Sequence, residues 1–194
     1  DTTIHLMRKE IELIEEKIKP LLELKENLQE KLVNLEEFKN IDSYGEIMVK
    51  KIKERKIILI EGIMSKDEEV DLAFRKLEGR DDSKLFLFGN KDMGVFIADE
   101  GLKRENYSLY EKAFFFVDDE EEDYNMILPS GHFITLIYGG SYKKSQKYFE
   151  NMMDFIKRNG YKLSGRPMEI YRLDIHGTSK EKEFITEIQI PVKK

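Results

Sequence analysis

The chain has 194 residues, 40% hydrophobic and 37% charged, with a formal net charge of −6. That is enough for one globular domain plus an extended element, and the acidic balance excludes a basic nucleic-acid module by composition. There is no cysteine, so disulfides and thiolate catalysis are excluded, and His5, His132 and His176 lie far apart without ligand spacing, so no metal or cofactor is expected.

Apolar runs long enough to cross a membrane, roughly 18 residues, are missing, as is a signal-peptide pattern. A cytoplasmic protein without membrane contact is the expectation. The sequence opens at Asp1 directly in a helical pattern, which suggests part of a longer protein.

The first 40 residues carry a heptad. Ile4, Ile11, Ile18 and Leu32 fall at one core position, and Met7, Ile14, Leu21, Leu28 and Leu35 at the other. Lys25 is the polar exception in the seam, and Glu and Lys fill the flanks. A seam this long predicts a coiled coil, and the simplest partner is a second copy of the chain. Pro20 lies outside the seam and removes one backbone bond, which predicts a kink or a restart near Lys19.

Lys39–Tyr44 breaks the heptad, and a second domain is expected over 44–194. Glu46–Lys53 reads as a short strand. Lys56–Ile63 is nearly continuously apolar and reads as a central strand. Ser65 opens a capping box with Glu68, and Val70, Ala73, Phe74 and Leu77 continue at helical spacing to Gly79. Leu85–Phe88 and Val95–Ala98 read as a hairpin, followed by a polar connection over Asp99–Lys112. Ala113–Val117 is a short apolar strand. The acidic run Asp118–Asp123 reads as a solvated loop.

His132–Tyr138 is the next strand. Gly139-Gly140-Ser141 turns into a helix over Tyr142–Asn159, whose Tyr148, Phe149, Met152, Phe155 and Ile156 form an apolar face. Two alternating strands close the chain. On Met168–Asp174, Glu169, Tyr171 and Leu173 share a face. On Phe184–Pro191, Phe184, Thr186, Ile188 and Ile190 share one face, and Ile185, Glu187 and Gln189 the other. Each strand thus sets a glutamate among apolar neighbours. Such a carboxylate either faces water at a sheet edge or is compensated by a partner, for which a cationic ligand is one candidate.

The order strand, helix, strand, strand occurs twice, over Lys56–Ala98 and His132–Val192. Two such units can pack side by side as a pseudo-twofold α+β domain with a cleft between them. Aromatic faces attract cations, and the chain's eight methionines would let a pocket adapt to different ligands.

The segments RPMEIY and ITEIQIPV near the C-terminus, with ILPSGHFITLIYGGSY at 127–142, resemble the gyrase-inhibitor-like effector-binding domain. Together with the heptad, nearly the whole chain resembles the C-terminal part of a MerR-family, BmrR-like multidrug-sensing regulator. The resemblance implies a duplicated β-α-β-β domain with a central cleft, an antiparallel coiled-coil homodimer, and promoter DNA bound only through an N-terminal domain absent here. It implies a small, lipophilic, cationic or aromatic effector. Glu169 matches the drug-contacting carboxylate of that pattern, and Glu187 the cleft glutamate of the wider domain family. Tyr138, Tyr142, Tyr171, Phe184, Gly140, Phe88 and Met64 complete the expected lining. Phe184 stands where a tyrosine is common, so an aromatic wall is kept and a hydroxyl lost.

Two other readings remain. Some proteins with this domain are hydrolases that use a cleft glutamate, for which Glu187 or Glu169 with Tyr138 would act. Those generally rely on a cleft tryptophan, and this chain has none; no catalytic residue is assigned. Gyrase inhibitors of this fold suggest a protein-binding module instead.

Overall fold

The computed structural model describes residues 2–39, 44–64, 92–119, 122–174 and 178–194, with all their side chains but those at 23, 27, 30, 31, 34, 37, 39 and 60–64. The expected helix from Ser65 to Gly79 and the strand Leu85–Phe88 lie outside these residues.

The heptad region folds as one helix, α1, Thr2–Lys39, which contains Pro20. No restart occurs at Lys19. One interior proline costs roughly 3 kcal/mol and one ladder bond, and the long runs of Glu, Lys and Leu on either side continue the helix past it. Ile4, Met7, Ile11, Ile14, Ile18, Leu21, Leu28 and Leu32 are all exposed along α1, and Leu35 is half-buried. The chain divides into two compact units, Asp1–Lys39 and Asn40–Lys194.

The second unit is mixed α+β, built on a curled antiparallel sheet. Its strands are β1 (Met48–Ile52), β2 (Arg55–Met64), β3 (Met93–Ile97), β4 (Tyr110–Phe116), β5 (Met126–Leu128), β6 (Gly131–Gly139), β7 (Lys162–Leu163), β8 (Met168–Leu173) and β9 (Ile185–Lys193). Among the described residues two helices accompany them, α2 (Asp99–Lys103) and α3 (Ser145–Arg158), the latter preceded by a 3-10 turn at Tyr142–Lys144.

Strand order across the sheet is β1-β6-β9-β8-β3-β4-β2-β5, with β7 pairing β9. The order is symmetric about the contact between β8 and β3. On one side stand β8, β9 and β6, and on the other β3, β4 and β2. Each set holds the second, third and first strand of one half, so the strand order repeats, with the first repeat ending at Phe116, beyond Ala98. The hairpin expected between Leu85–Phe88 and Val95–Ala98 does not use β3 in that way. Both edges of β3 are taken, by β4 and by β8. The stretch Asp99–Lys112, expected as a polar connection, holds α2 and the start of β4. Tyr107 stacks on Phe149 at 5.1 Å, and both Tyr107 and Tyr110 are buried. Strands β5 and β7 were not expected from pattern, being only three and two residues long.

The pleat sorts side chains onto two faces. The face toward α3 carries Val95, Phe115, Leu136, Tyr138, Tyr171 and Ile188, packed with Phe149, Met152 and Ile156 of the helix. The opposite face carries a second cluster of Ile57, Phe96, Phe114, Phe133, Met168 and Ile170. Gly94 sits at the centre of the sheet, opposite Phe114 on β4 and Ile170 on β8. A Cβ there would lie 2.3 Å from the Phe114 ring and 2.6 Å from the carbonyl oxygen of Glu169.

On this second face a chain of charged groups joins the two halves. Arg172 of β8 bonds Glu187 of β9 through Nε at 3.0 Å and Nη2 at 2.5 Å, and pairs with Asp92, just before β3. Gln189 Nε2 donates to Glu187 at 2.8 Å, and Gln189 Oε1 accepts from Arg55 of β2 at 2.9 Å. Arg55 lies over the rings of Phe116 and Phe133, and burial, then the charge of Arg172, bring its pKa down to about 10. Burial would raise the pKa of Glu187. The charge of Arg172, with hydrogen bonds from Gln189 and Arg172, outweighs that and holds it below its ordinary value.

Two outcomes follow from this packing. Gly94→Ala forces the backbone of β3 or β8 to shift, and is expected to lower unfolding stability by about 1–3 kcal/mol in urea titration; an unchanged midpoint would contradict the close approach. Glu187→Gln breaks a buried ion pair and is expected to cost about 3 kcal/mol at neutral pH. Because the folded-state pKa of Glu187 is depressed, its contribution is complete above the unfolded value of about 4.3 and is lost as pH falls through the folded one. The wild type should therefore lose stability in acid more steeply than Glu187→Gln, and parallel acid limbs would count against the pair.

Candidate functional site

The buried carboxylate of Glu169 is the focus of the α3 face. β8 carries it inward with Tyr171, two residues on, and the register sets it opposite Ile188 and Val95. It is 0% exposed. Ser145 Oγ, at the first turn of α3, donates to its Oε1, and the Tyr110 hydroxyl donates to its Oε2 at 3.4 Å. Ser145 is brought there by the Gly139-Gly140-Ser141 turn. Gly140 adopts φ +91, a conformation that favours glycine, and its N–H donates to the Phe184 carbonyl at 2.8 Å.

Aromatic rings surround this carboxylate. Tyr138 on β6 is fully buried and stacks on Tyr148 at 4.8 Å. Tyr142, in the 3-10 turn, meets Tyr171 edge-on at 5.2 Å and stacks on Phe184 at 5.1 Å. The Tyr171 phenol is raised well above its ordinary pKa by burial first, then by Tyr110, Glu169, Tyr142 and Tyr138 beside it. Burial and then Glu169 likewise raise the Tyr138 phenol, against the pull of the nearby Ser145 and Thr186 hydroxyls. None of those contacts is a well-formed hydrogen bond: the Tyr138 hydroxyl and Thr186 Oγ1 are buried without a partner of good geometry among the described residues. Both phenols stay protonated at neutral pH and can donate as well as accept.

The structure thus brings together Glu169, Tyr138, Tyr142, Tyr171, Phe184 and Gly140. Close approach to Gly140 comes from the chain itself: the Lys144 ammonium lies 3.0 Å from where a Cβ would stand and donates to the Gly139 carbonyl at 2.7 Å. Glu187 is elsewhere. It is paired in register with Ile170, so it projects from the opposite face and meets Arg172. Met64 ends β2, but its side chain is outside the described set, and Phe88 lies outside the described residues. Tyr110, Ser145 and Thr186 join the site without having been singled out from sequence. A tyrosine pair inside a polar stretch was the available signal for Tyr110.

Ring faces and a carboxylate are the groups that attract a flat, positively charged guest. Among the described residues no group of three His, Asp or Glu side chains is placed to hold a metal ion, and no helix is long and apolar enough to cross a membrane.

Several solved structures share the fold. A cryo-EM structure of an EcmrR–DNA complex aligns with TM-score 0.62 at 17% identity, over 98% of this chain and 72% of that one. The crystal structure of the EcmrR C-terminal domain aligns with TM-score 0.58 at 20% identity, over 77% of this chain and 98% of that one. An uncharacterised conserved protein from Listeria innocua aligns with TM-score 0.54 at 13% identity, over 81% and 97%. No curated protein matches the chain by sequence. Residues 45–193 match the GyrI-like small molecule binding domain. With more than half its length so matched, the chain belongs to the GyrI-like small molecule binding domain family.

Proposed function

We propose that this chain is the effector-sensing and dimerising part of a MerR-type, BmrR-like transcriptional regulator, acting in the cytoplasm. The observation that carries the reading is Glu169, a fully buried carboxylate that accepts from hydroxyls and is walled by Tyr138, Tyr142, Tyr171 and Phe184. A lipophilic cation entering beside it is attracted by the carboxylate and by the ring faces. The reading assigns no catalytic step to this chain. Glu187, compensated by Arg172, serves the fold and not the ligand.

In this reading the exposed seam of α1 meets the same seam of a second copy as an antiparallel coiled coil. A DNA-binding domain preceding Thr2 receives the signal as a change in dimer geometry. Moving such an equilibrium from 1:99 to 99:1 requires about 5.5 kcal/mol of differential ligand binding.

Two tests address the two halves of the proposal. Isothermal titration with tetraphenylphosphonium, a neutral aromatic of similar size and an anionic dye is expected to show binding chiefly of the cation. Glu169→Gln should weaken the cation about tenfold or more and the neutral compound much less. Equal losses would remove the charge-pairing role. Sedimentation equilibrium should find a dimer for the wild type and a monomer for Leu21→Glu, since a charge in a coiled-coil seam is strongly disfavoured; a monomeric wild type would refute dimerisation through α1.

A further inference from the structure

The curl of the sheet leaves a cavity on the face opposite Glu169. Strands β5 and β6 are separated by five others in the strand order, a flat span of roughly 28 Å at the usual interstrand spacing. Yet they are joined through Pro129 and Ser130 alone, a reach of roughly 10 Å. The sheet therefore curls until the two strands meet at this end. Arg55 shows the same closure from inside: it leaves β2, bonds Gln189 of β9 at 2.9 Å and lies over the Phe133 ring of β6. The cavity so formed has a volume of about 290 Å³.

Phe96, Leu128, Phe133 and Met168 form its apolar wall, and all four belong to the core cluster of that face. The charges around it are already met. Arg166 pairs with Glu111 on β4, and with Asp99 on α2 at 2.8 Å. Lys112 stands in register with Glu61 of β2 and is likewise engaged. Arg55 is taken up by Gln189 and by the rings of Phe116 and Phe133. His132 is at the mouth, but it has the parity of its register partner Val192, which belongs to the α3 face. A guest ion would give up its hydration here and find no free counter-charge among the described residues, whereas an apolar ring gains by leaving water. The lining thus selects against net charge of either sign. Its volume is at the lower end of the range of small-ligand sites, which limits the guest to one or two rings.

We propose that this cavity is a second small-molecule site, for a neutral aromatic of one or two rings that packs on Phe96, Phe133 and Met168. It differs in charge preference from the Glu169 site and is separated from it by the thickness of the sheet. It does not depend on the sensing role of Glu169.

The chain's methionines report which face is occupied. Met126 and Met168 line the cavity, while Met93 and Met152 pack on the α3 face. Titrating the whole chain, labelled at methionine methyl carbons, with indole should shift the Met126 and Met168 signals saturably and leave Met93 and Met152 in place. Indole-3-carboxylate and 3-(aminomethyl)indole, one anionic and one cationic, should each bind about tenfold more weakly or worse. Saturating tetraphenylphosphonium and Glu169→Gln should leave the indole titration unchanged. Ser164 and Met126 line the cavity from exposed positions, so Ser164→Trp and Met126→Trp narrow it without disturbing the core, and each should weaken indole about tenfold, read at Met168. Absence of saturable shifts at Met126 and Met168, shifts confined to Met93 and Met152, displacement by tetraphenylphosphonium, a charged counterpart that binds as tightly as indole, or wild-type affinity in both tryptophan variants would each overturn the proposal.

Discussion

The antiparallel pairing of β3 with β8 is the contact on which this domain depends. It joins the two three-stranded halves into one sheet, and it does so only because Gly94 lets the Phe114 ring and the β8 backbone come close. Once that register is set, the pleat decides everything else. Glu169 falls opposite Val95 and turns toward α3, whereas Ile170 and its partner Glu187 turn the other way. Two glutamates close in space are thereby assigned to different environments by the parity of one strand.

Each environment resolves the cost of a buried carboxylate differently. Burial of an ionised group costs several kcal/mol unless it is compensated. Around Glu187 the compensation is built in: Arg172 binds it through two nitrogens, and burial of the guanidinium is outweighed by Glu187 and Asp92, so its pKa lies above the ordinary arginine value. That network spans β2, β8 and β9, reaches the residue before β3, and crosses the pseudo-twofold, which makes it a clamp between halves. Around Glu169, Ser145 and Tyr110 donate hydrogen bonds and aromatic rings stand close by. Hydroxyls stabilise a carboxylate less than a guanidinium does.

Much of this was legible in the sequence. The helical period marked α1 and α3, alternation marked β6, β8 and β9, and the repeat of strand–helix–strand–strand announced a duplicated domain. Glu169, Tyr138, Tyr142, Tyr171 and Phe184, expected to line one cleft, lie near one another beside the glycine turn. What could not be read was register. With both faces of the sheet apolar, alternation does not say which parity faces the helix, so Glu169 and Glu187 were placed in one cleft. Arg172 held the missing clue: an arginine on the inward parity of Met168 and Ile170 needs an acid beside it. Tyr107 and Tyr110 were hidden by their polar neighbours, because their burial comes from packing on α3 and beside Glu169, contacts distant in sequence. Strands of two or three residues such as β5 and β7 carry no period at all.

The division of labour between the two glutamates is the central claim, and ligand-dependent thermal unfolding tests it most directly. Melting temperatures would be recorded for the wild type, Glu169→Gln and Glu187→Gln, each with and without tetraphenylphosphonium. Ligand that binds only the folded state stabilises it by about 2.7 kcal/mol at a hundred times its dissociation constant, so occupancy reads directly as a rise in melting temperature. The predicted result is that Glu169→Gln melts near the wild type and loses the ligand-induced rise, while Glu187→Gln melts lower and keeps it. A rise that survives in Glu169→Gln and vanishes in Glu187→Gln would contradict the account.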